Sequence, residues 1–375
     1  MNSSAEKILD TMKHSTFIVA EIGKNFIQSE QEQSVDVYLQ KAKELVKAAK
    51  ECGADAVKFQ THTVEDEVLN KDFESPHFKG KSRYAWVKRN EDSTPVDTFW
   101  KPLKAYCDEI GIVFFSTPMS RGSAVKLMEV GQPVWKIASS DVLDFVLLDF
   151  LAMTKKPIFV PIGMSTMEEI KQCMHFLQER EAPFILMHAI STYPYPEENS
   201  NLLTIEFFKK QFPNIQIGFS QNSPHVNAAI AASALGIAVL EQHFTLDRNF
   251  FGPDHKVSMT PEEFARMVQG IRAVEASEDE RKKVLEQSQA YMGTEEKLLQ
   301  ESEASFRPLF RKGLVASVDI AQGTQITPSM LFALRPQSLI GGLGSENYAD
   351  ILGKKLKKSL KKFDPITLDL FEDNK

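Results

Sequence analysis

The sequence predicts an α/β protein: a (β/α)8 TIM barrel followed by a small β-rich domain. Three observations carry this. Short apolar runs alternate eight times with amphipathic stretches over roughly the first 270 residues, the count and length of such a barrel. The runs are apolar at nearly every position, as in a parallel sheet covered on both faces. Beyond about residue 305 the pattern changes to short alternating runs broken at Gly323 and Pro328, which read as turns.

The eight apolar runs are 17–22, 54–59, 113–116, 134–137, 158–161, 184–188, 215–219 and 238–244. Helices are expected to begin near Val35, Val96, Gly122, Val142, Met167, Thr204, Val226 and Pro261. Two starts carry explicit chemistry. "STMEEI" sets Ser165 or Thr166 before acidic residues, and "TPEEF" sets Thr260 before Pro261 and two acids. A doubly wound sheet is the competing arrangement. It is weakened because the first run ends in "AEIGKNF", with one glycine and a carboxylate, not a G-x-G-x-x-G turn. The expected domains are a barrel over 1–280, a charged helical linker over 281–305 and the β-rich domain over 306–375.

Composition narrows the class. The chain has 375 residues, 42% hydrophobic and 25% charged, with a net charge of −7. Nothing resembles a basic stripe for nucleic acid, and the run 354–362 reads as a solvated face. Three scattered cysteines form no disulfide or CxxC pattern, so a reducing cytoplasm is expected. No run approaches membrane-spanning length, and the N-terminus has no apolar signal core.

A barrel builds its site at the C-terminal strand ends. Those ends hold Glu21 and Asn25, Lys58 and Gln60, Ser116 and Thr117, Lys136 and Ser139, then Gly163. The last three hold His188 with Ser191 and Tyr193, Ser220 with Asn222, and Glu241 with His243. Lysine is seldom buried unless paired. Lys58 and Lys136 at a barrel mouth therefore point to an anion site, against the plainer reading of two snorkelling lysines. The stretch "GFSQNSPH" at 218–225 gathers Ser220, Gln221, Asn222 and His225 at one strand end. It fits either a turn with a helix cap or a binding loop.

With these residues in hand, the chain resembles the sialic acid synthase family, which condenses phosphoenolpyruvate with an N-acetylhexosamine. The matching segments are "FIVAEIGKN", "CGADAVKFQ", "FFSTPMS", "KIASSD", "TYPYPEENSNL", "IGFS", "LEQHFTLDRNFFGPDHKVSM" and "RKGLVASVDIAQGTQIT". They run in order over nearly the whole chain. The resemblance implies that the C-terminal part is an antifreeze-like (SAF) domain, reaching over a partner's barrel in a domain-swapped homodimer. It implies phosphoenolpyruvate binding by Lys58, Lys136 and Ser139, with Ser191 and Ser220 near that site. It implies that Asn25, Gln60, Tyr193 and Asp254 face the sugar, and that Arg335 arrives from the partner. Glu21, Lys58, Lys136 and His243 are the expected catalytic set. A divalent cation, manganese or magnesium, would be held by His243 and a second histidine. The enol carbon would attack the aldehyde of N-acetylmannosamine or a modified relative. Water addition and loss of phosphate would then give a nine-carbon 2-keto acid of the sialic, legionaminic or pseudaminic type.

The chain departs from the family pattern at ligand positions. "SQNS" stands where the family reads "SDHT", so Asn222 occupies the place of the first metal histidine. His225 either replaces it or serves only the start of the next helix. Phe26 stands for a histidine, Pro161 for a phosphate-binding serine, and Ser120 for a common aspartate. The segment 336–352 is longer than usual and Gly-rich. These changes leave room for an altered acceptor, metal-independent chemistry or a non-catalytic carbohydrate-binding paralogue.

Overall fold

A computed structural model describes residues 4–71, 73–75, 78–192 and 194–372. Its centre is one eight-stranded parallel sheet curled into a barrel. The strands are β1 (Phe17–Gly23), β2 (Ala56–Thr61), β3 (Val113–Pro118), β4 (Trp135–Lys136), β5 (Ile158–Pro161), β6 (Phe184–Ala189), β7 (Ile217–Gln221) and β8 (Val239–His243). β1 pairs with both β2 and β8, so the first and last strands meet. That closure excludes a doubly wound sheet. Helices Val35–Glu51, Lys101–Ile110, Arg121–Val130, Phe145–Met153, Met167–Glu179, Leu203–Gln211, Val226–Ala234 and Pro261–Ala276 follow the eight strands. Thr166 with Glu169, and Thr260 with Glu263, form capping boxes at the two expected starts.

The ladder has one gap, between β3 and β4. The buried Gln132 side chain bridges it. Its Oε1 accepts from Ser116 N (2.8 Å), and its Nε2 donates to Ser116 O (3.2 Å) and Val134 O (3.0 Å). One side-chain amide thus satisfies main-chain groups that no neighbouring strand reaches.

Strand parity divides the core. Phe17, Val19, Ala56, Phe115, Val134, Phe159, Ile185, Met187 and Val239 fill the barrel interior. Ile18, Ala20, Val57, Phe114, Ile158, Val160, Leu186 and Leu240 face the surrounding helices. The lower end is plugged by Ile8 and Met12 from a helix at Ser4–His14, which the polar N-terminal sequence did not announce. The same two-residue period carries the interior face upward. Glu21 follows Val19, Lys58 follows Ala56, Lys136 follows Val134, and Glu241 and His243 follow Val239.

The linker is helical in three pieces, Glu278–Gln287, Gln289–Met292 and Glu301–Phe310. It breaks at Gly293, whose φ of 63° no other residue adopts as cheaply. The tail has one antiparallel pair, β9 (Gly313–Ala316) and β10 (Leu331–Leu334); the rest of its pairing is by isolated bridges. Of the basic run, Lys355, Lys357, Lys358, Lys361 and Lys362 are exposed.

The tail docks on its own barrel. Lys312 donates to Asp144 Oδ2 (2.6 Å) and Met119 O (2.6 Å), and Arg335 holds Asp141. Arg121 donates to Pro328 O and Leu331 O, and Tyr348 to Asp149. Arg335, expected from a partner's tail, lines this mouth from the same chain's tail in the single chain described. Helix Glu301–Phe310 is pinned across the barrel's own β5 and β6 ends, and that placement delivers the tail to the same mouth.

Candidate active site

A cavity of about 620 Å³ opens at the C-terminal strand ends. Glu21, Lys58, Gln60, Lys136, Ser139, Ser191, Ser220, Asn222, His243, Asp254 and Arg335 all line it. The structure thus brings together most of the residues singled out in the sequence, from six strand ends and the tail.

At its floor two carboxylates and two ammonium groups interlock. Lys58 Nζ lies 2.8 Å from Glu21 Oε2 and 3.6 Å from Glu241 Oε1, and donates to Thr117 Oγ1 at 3.0 Å. Lys136 Nζ lies 3.3 Å from Glu241 Oε1. Gln60 Nε2 donates to Glu21 Oε1 (2.8 Å), and Ser220 Oγ to Glu241 Oε1 (3.2 Å). All four charged groups are buried.

Their environments push like groups apart. Burial raises the Glu21 carboxyl above its usual range, and Lys58 only partly offsets this. Glu241 is buried too, but Lys136 and Lys58 hold it below that range. Burial, with Lys58 nearby, lowers Lys136 to about 8, whereas the two carboxylates raise Lys58 against the same burial. Two carboxyls of opposite tendency can divide proton-accepting and charge-holding work.

The wall beside them suits an anion. Gly163 leaves room that a Cβ would take from Ser191 Oγ, with Ser139 Oγ also at its edge. Ser191 Oγ is buried and has no hydrogen-bond partner among the described residues. Glu303, from the linker, fixes this wall: its Oε1 accepts from Ser191 N (2.7 Å) and Met164 N (3.1 Å). Pro161, in β5, offers neither hydroxyl nor N–H.

Some expectations change. Asn25 does not line the cavity. Its Nδ2 donates to Phe244 O (2.9 Å) and Ser258 Oγ (3.0 Å), tying the loop after β1 to the one after β8. The tight turn through Gly23 (φ 54°) aims it there. His225 also turns away; its Nε2 lies 2.7 Å from Tyr195 O at the start of helix Val226–Ala234. Tyr193 lies outside the described residues. Glu241 belongs to the site although only its strand-end position in "LEQHF" signalled it. Lys24, Arg83 and Glu303 carried no sequence signal.

The donor set for a divalent cation is incomplete. Among the described residues no group of three or more His, Cys, Asp or Glu side chains could hold one. His243 contributes one imidazole. Asn222 Nδ2 donates to Ile190 O at 2.7 Å, so at most its amide oxygen faces the cavity. That oxygen is a weaker ligand than imidazole for transition ions. The carboxylate of Glu241, two residues before His243 on β8, is already compensated by two lysines. These residues do not fit a two-histidine metal site.

Comparisons with known proteins agree with this architecture. Residues 45–283 match the NeuB family, and residues 311–372 match the SAF domain. The chain is 31% identical to the N-acetylneuraminate-9-phosphate synthase of Mus musculus, over 96% of this chain and 94% of that protein. It is 32% identical to a pseudaminic acid synthase of Campylobacter jejuni, over 92% and 93%. An uncharacterized protein of Methanocaldococcus jannaschii shares 35% over 94% of each chain. Among solved structures, the spore coat polysaccharide biosynthesis protein spsE of Bacillus subtilis aligns with a TM-score of 0.76 at 28% identity, covering 96% of both chains.

Proposed function

The chain belongs to the NeuB family and ends in a SAF domain, and on that footing we propose that it condenses phosphoenolpyruvate with an amino-sugar aldose. The observation that carries this reading is the buried quartet of Glu21, Lys58, Lys136 and Glu241 at the floor of the cavity. Phosphoenolpyruvate brings a phosphate and a carboxylate. Lys58 and Lys136 supply the charges to meet them, and the hydroxyls of Ser139, Ser191 and Ser220 supply directed donors.

The enol carbon of phosphoenolpyruvate bonds to the aldehyde carbon, and the aldehyde oxygen takes up a proton. Water adds to the neighbouring carbon, the one that bears the phosphate ester, and phosphate leaves with its bridging oxygen, so that carbon becomes the 2-keto group. Glu21, with its raised carboxyl, is placed to give and take these protons, while Glu241 stays ionised and holds both lysines. His243, at the end of β8 in the cavity wall, is placed to donate to the aldehyde oxygen. Gln60 orients Glu21, and Asp254 and Arg335 face the sugar. The product is a 2-keto sugar acid, of nine carbons when the aldose has six.

A second reading is the same condensation without a metal ion. The lock of Asn222 onto Ile190 favours it. Phosphate release from phosphoenolpyruvate, assayed with a panel of N-acetylated and diacetamido hexoses, tests the reaction. Release that requires one sugar supports the proposal. No release with any sugar, from protein that binds sugar without phosphoenolpyruvate, would replace it with a non-catalytic carbohydrate-binding role.

A further inference from the structure

Glu303 does not line the cavity, yet it stands behind the wall that suits an anion. It is 1% exposed and belongs to helix Glu301–Phe310 of the linker. Its Oε1 accepts from Ser191 N (2.7 Å) and from Met164 N (3.1 Å), 112 and 139 residues earlier in the chain. Its Oε2 accepts from Gln300 N (3.3 Å), which completes the capping box of its own helix. One carboxylate thus ties the loop after β5 to the loop after β6, and both to the linker.

The grip on Met164 is two-sided. Met164 has φ 56°, a left-handed conformation that a side chain disfavours. Its N–H goes to Glu303, and its carbonyl accepts from Arg311 Nη2 (3.2 Å), just past the end of the same helix. Arg311 and Arg307 in turn pair with Glu169, at the start of helix Met167–Glu179. On the other loop, the hydroxyls of Thr192 and Ser302 meet at 2.8 Å. The docked linker therefore holds a strained turn in one shape.

That turn carries the anion wall. A Cβ on Gly163 would come within 2.3 Å of Ser191 Oγ and 3.1 Å of Ser139 Oγ, so both hydroxyls lie against its main chain. Pro161 adds no donor, which leaves the wall to these two serines. Ser191 Oγ is buried and has no hydrogen-bond partner among the described residues. No bond of its own aims it, so the main chain that Glu303 holds sets its direction.

We propose that Glu303 is a positioning residue for phosphoenolpyruvate. It acts through the main chain of Ser191 and Met164 and makes anion binding depend on a docked linker. This rests on the condensation proposed above. The opposite role has the opposite sign. A carboxylate that merely occupied strand-end N–H groups would compete with the phosphate, and its removal would tighten binding.

Calorimetry with phosphoenolpyruvate on the full chain reads the difference. Glu303→Ala should weaken binding at least about tenfold, as a misaimed wall loses its directed contact. Glu303→Gln keeps an oxygen that accepts both bonds and should recover most of the loss. By linkage, phosphoenolpyruvate should slow amide hydrogen exchange in helix Glu301–Phe310 of the wild type, and not in Glu303→Ala. The wild-type arm needs no substitution, so the test survives a variant that fails to fold. Unchanged or tighter binding in Glu303→Ala, an equal loss in Glu303→Gln, or wild-type exchange that phosphoenolpyruvate leaves unaltered would overturn the positioning role and leave the condensation standing. Phosphoenolpyruvate binding that follows this pattern, with no phosphate release from any sugar, would uphold the positioning role and sink the condensation. A wild type that binds no phosphoenolpyruvate would overturn both.

Discussion

Arg335 Nη2 grips both carboxylate oxygens of Asp141, at 2.8 and 3.1 Å, across 194 residues of sequence. Both side chains are buried, and Lys312 lies 3.5 Å from the same carboxylate. The pair fastens the tail to the mouth and brings a cation to the cavity in one contact. Removing Arg335 leaves the buried Asp141 with only the longer Lys312 contact, a loss toward the low end of the about 3–5 kcal/mol that breaking a buried pair costs. Arg335→Ala should therefore lower stability in urea titration and raise the acceptor KM more than the phosphoenolpyruvate KM. An unchanged acceptor KM would confine Arg335 to fastening.

Lys136, lowered to about 8, makes phosphoenolpyruvate binding pH-dependent. It is charged below that value and neutral above it, so affinity should fall as pH rises through 8. Stability should move the other way. Between about 8 and the ordinary lysine value of 10.5 the unfolded chain holds a proton that the folded chain lacks, so stability rises with pH across that window. Calorimetry near pH 9 in buffers of different ionisation heat should register proton uptake when phosphoenolpyruvate binds. Buffer-independent heats would remove Lys136 from the anion site.

Asn222 decides the metal question. As the chain stands, turnover is expected to persist in excess chelator. Asn222→His supplies the missing imidazole beside His243 and should raise manganese affinity at least about tenfold, read by electron paramagnetic resonance. Wild-type turnover that vanishes on chelation and returns with manganese would show that one imidazole suffices.

Gln132 seals the barrel seam. Gln132→Leu keeps the bulk but leaves Ser116 N–H, Ser116 O and Val134 O without the partner they have now. A loss of about 2–4 kcal/mol is expected, since buried main-chain groups lose hydrogen bonds that water cannot replace. A loss below about 1 kcal/mol would mean that β3 and β4 pair once the amide is gone.

Asn25 offers a contrast. Its amide ties two loops and does not face the cavity, so Asn25→Ala should cost about 1–3 kcal/mol of stability with little change in acceptor KM. A selective rise in acceptor KM would return Asn25 to the sugar site.

The sequence by itself determined the eight strand–helix units, the barrel and the floor of the site. Apolar runs and their two-residue period are local properties, and parity along each strand carries Val19 to Glu21, Ala56 to Lys58 and Val134 to Lys136. Only the tertiary structure decided where Asn25, Asn222 and His225 point, that Glu303 anchors the β5 and β6 ends, and that Lys24 and Arg83 line the same cavity as Arg335. Each of these depends on a partner tens to hundreds of residues away. Buried polar groups take whichever partner the packed chain brings within reach, and neither local pattern nor residue type specifies that choice.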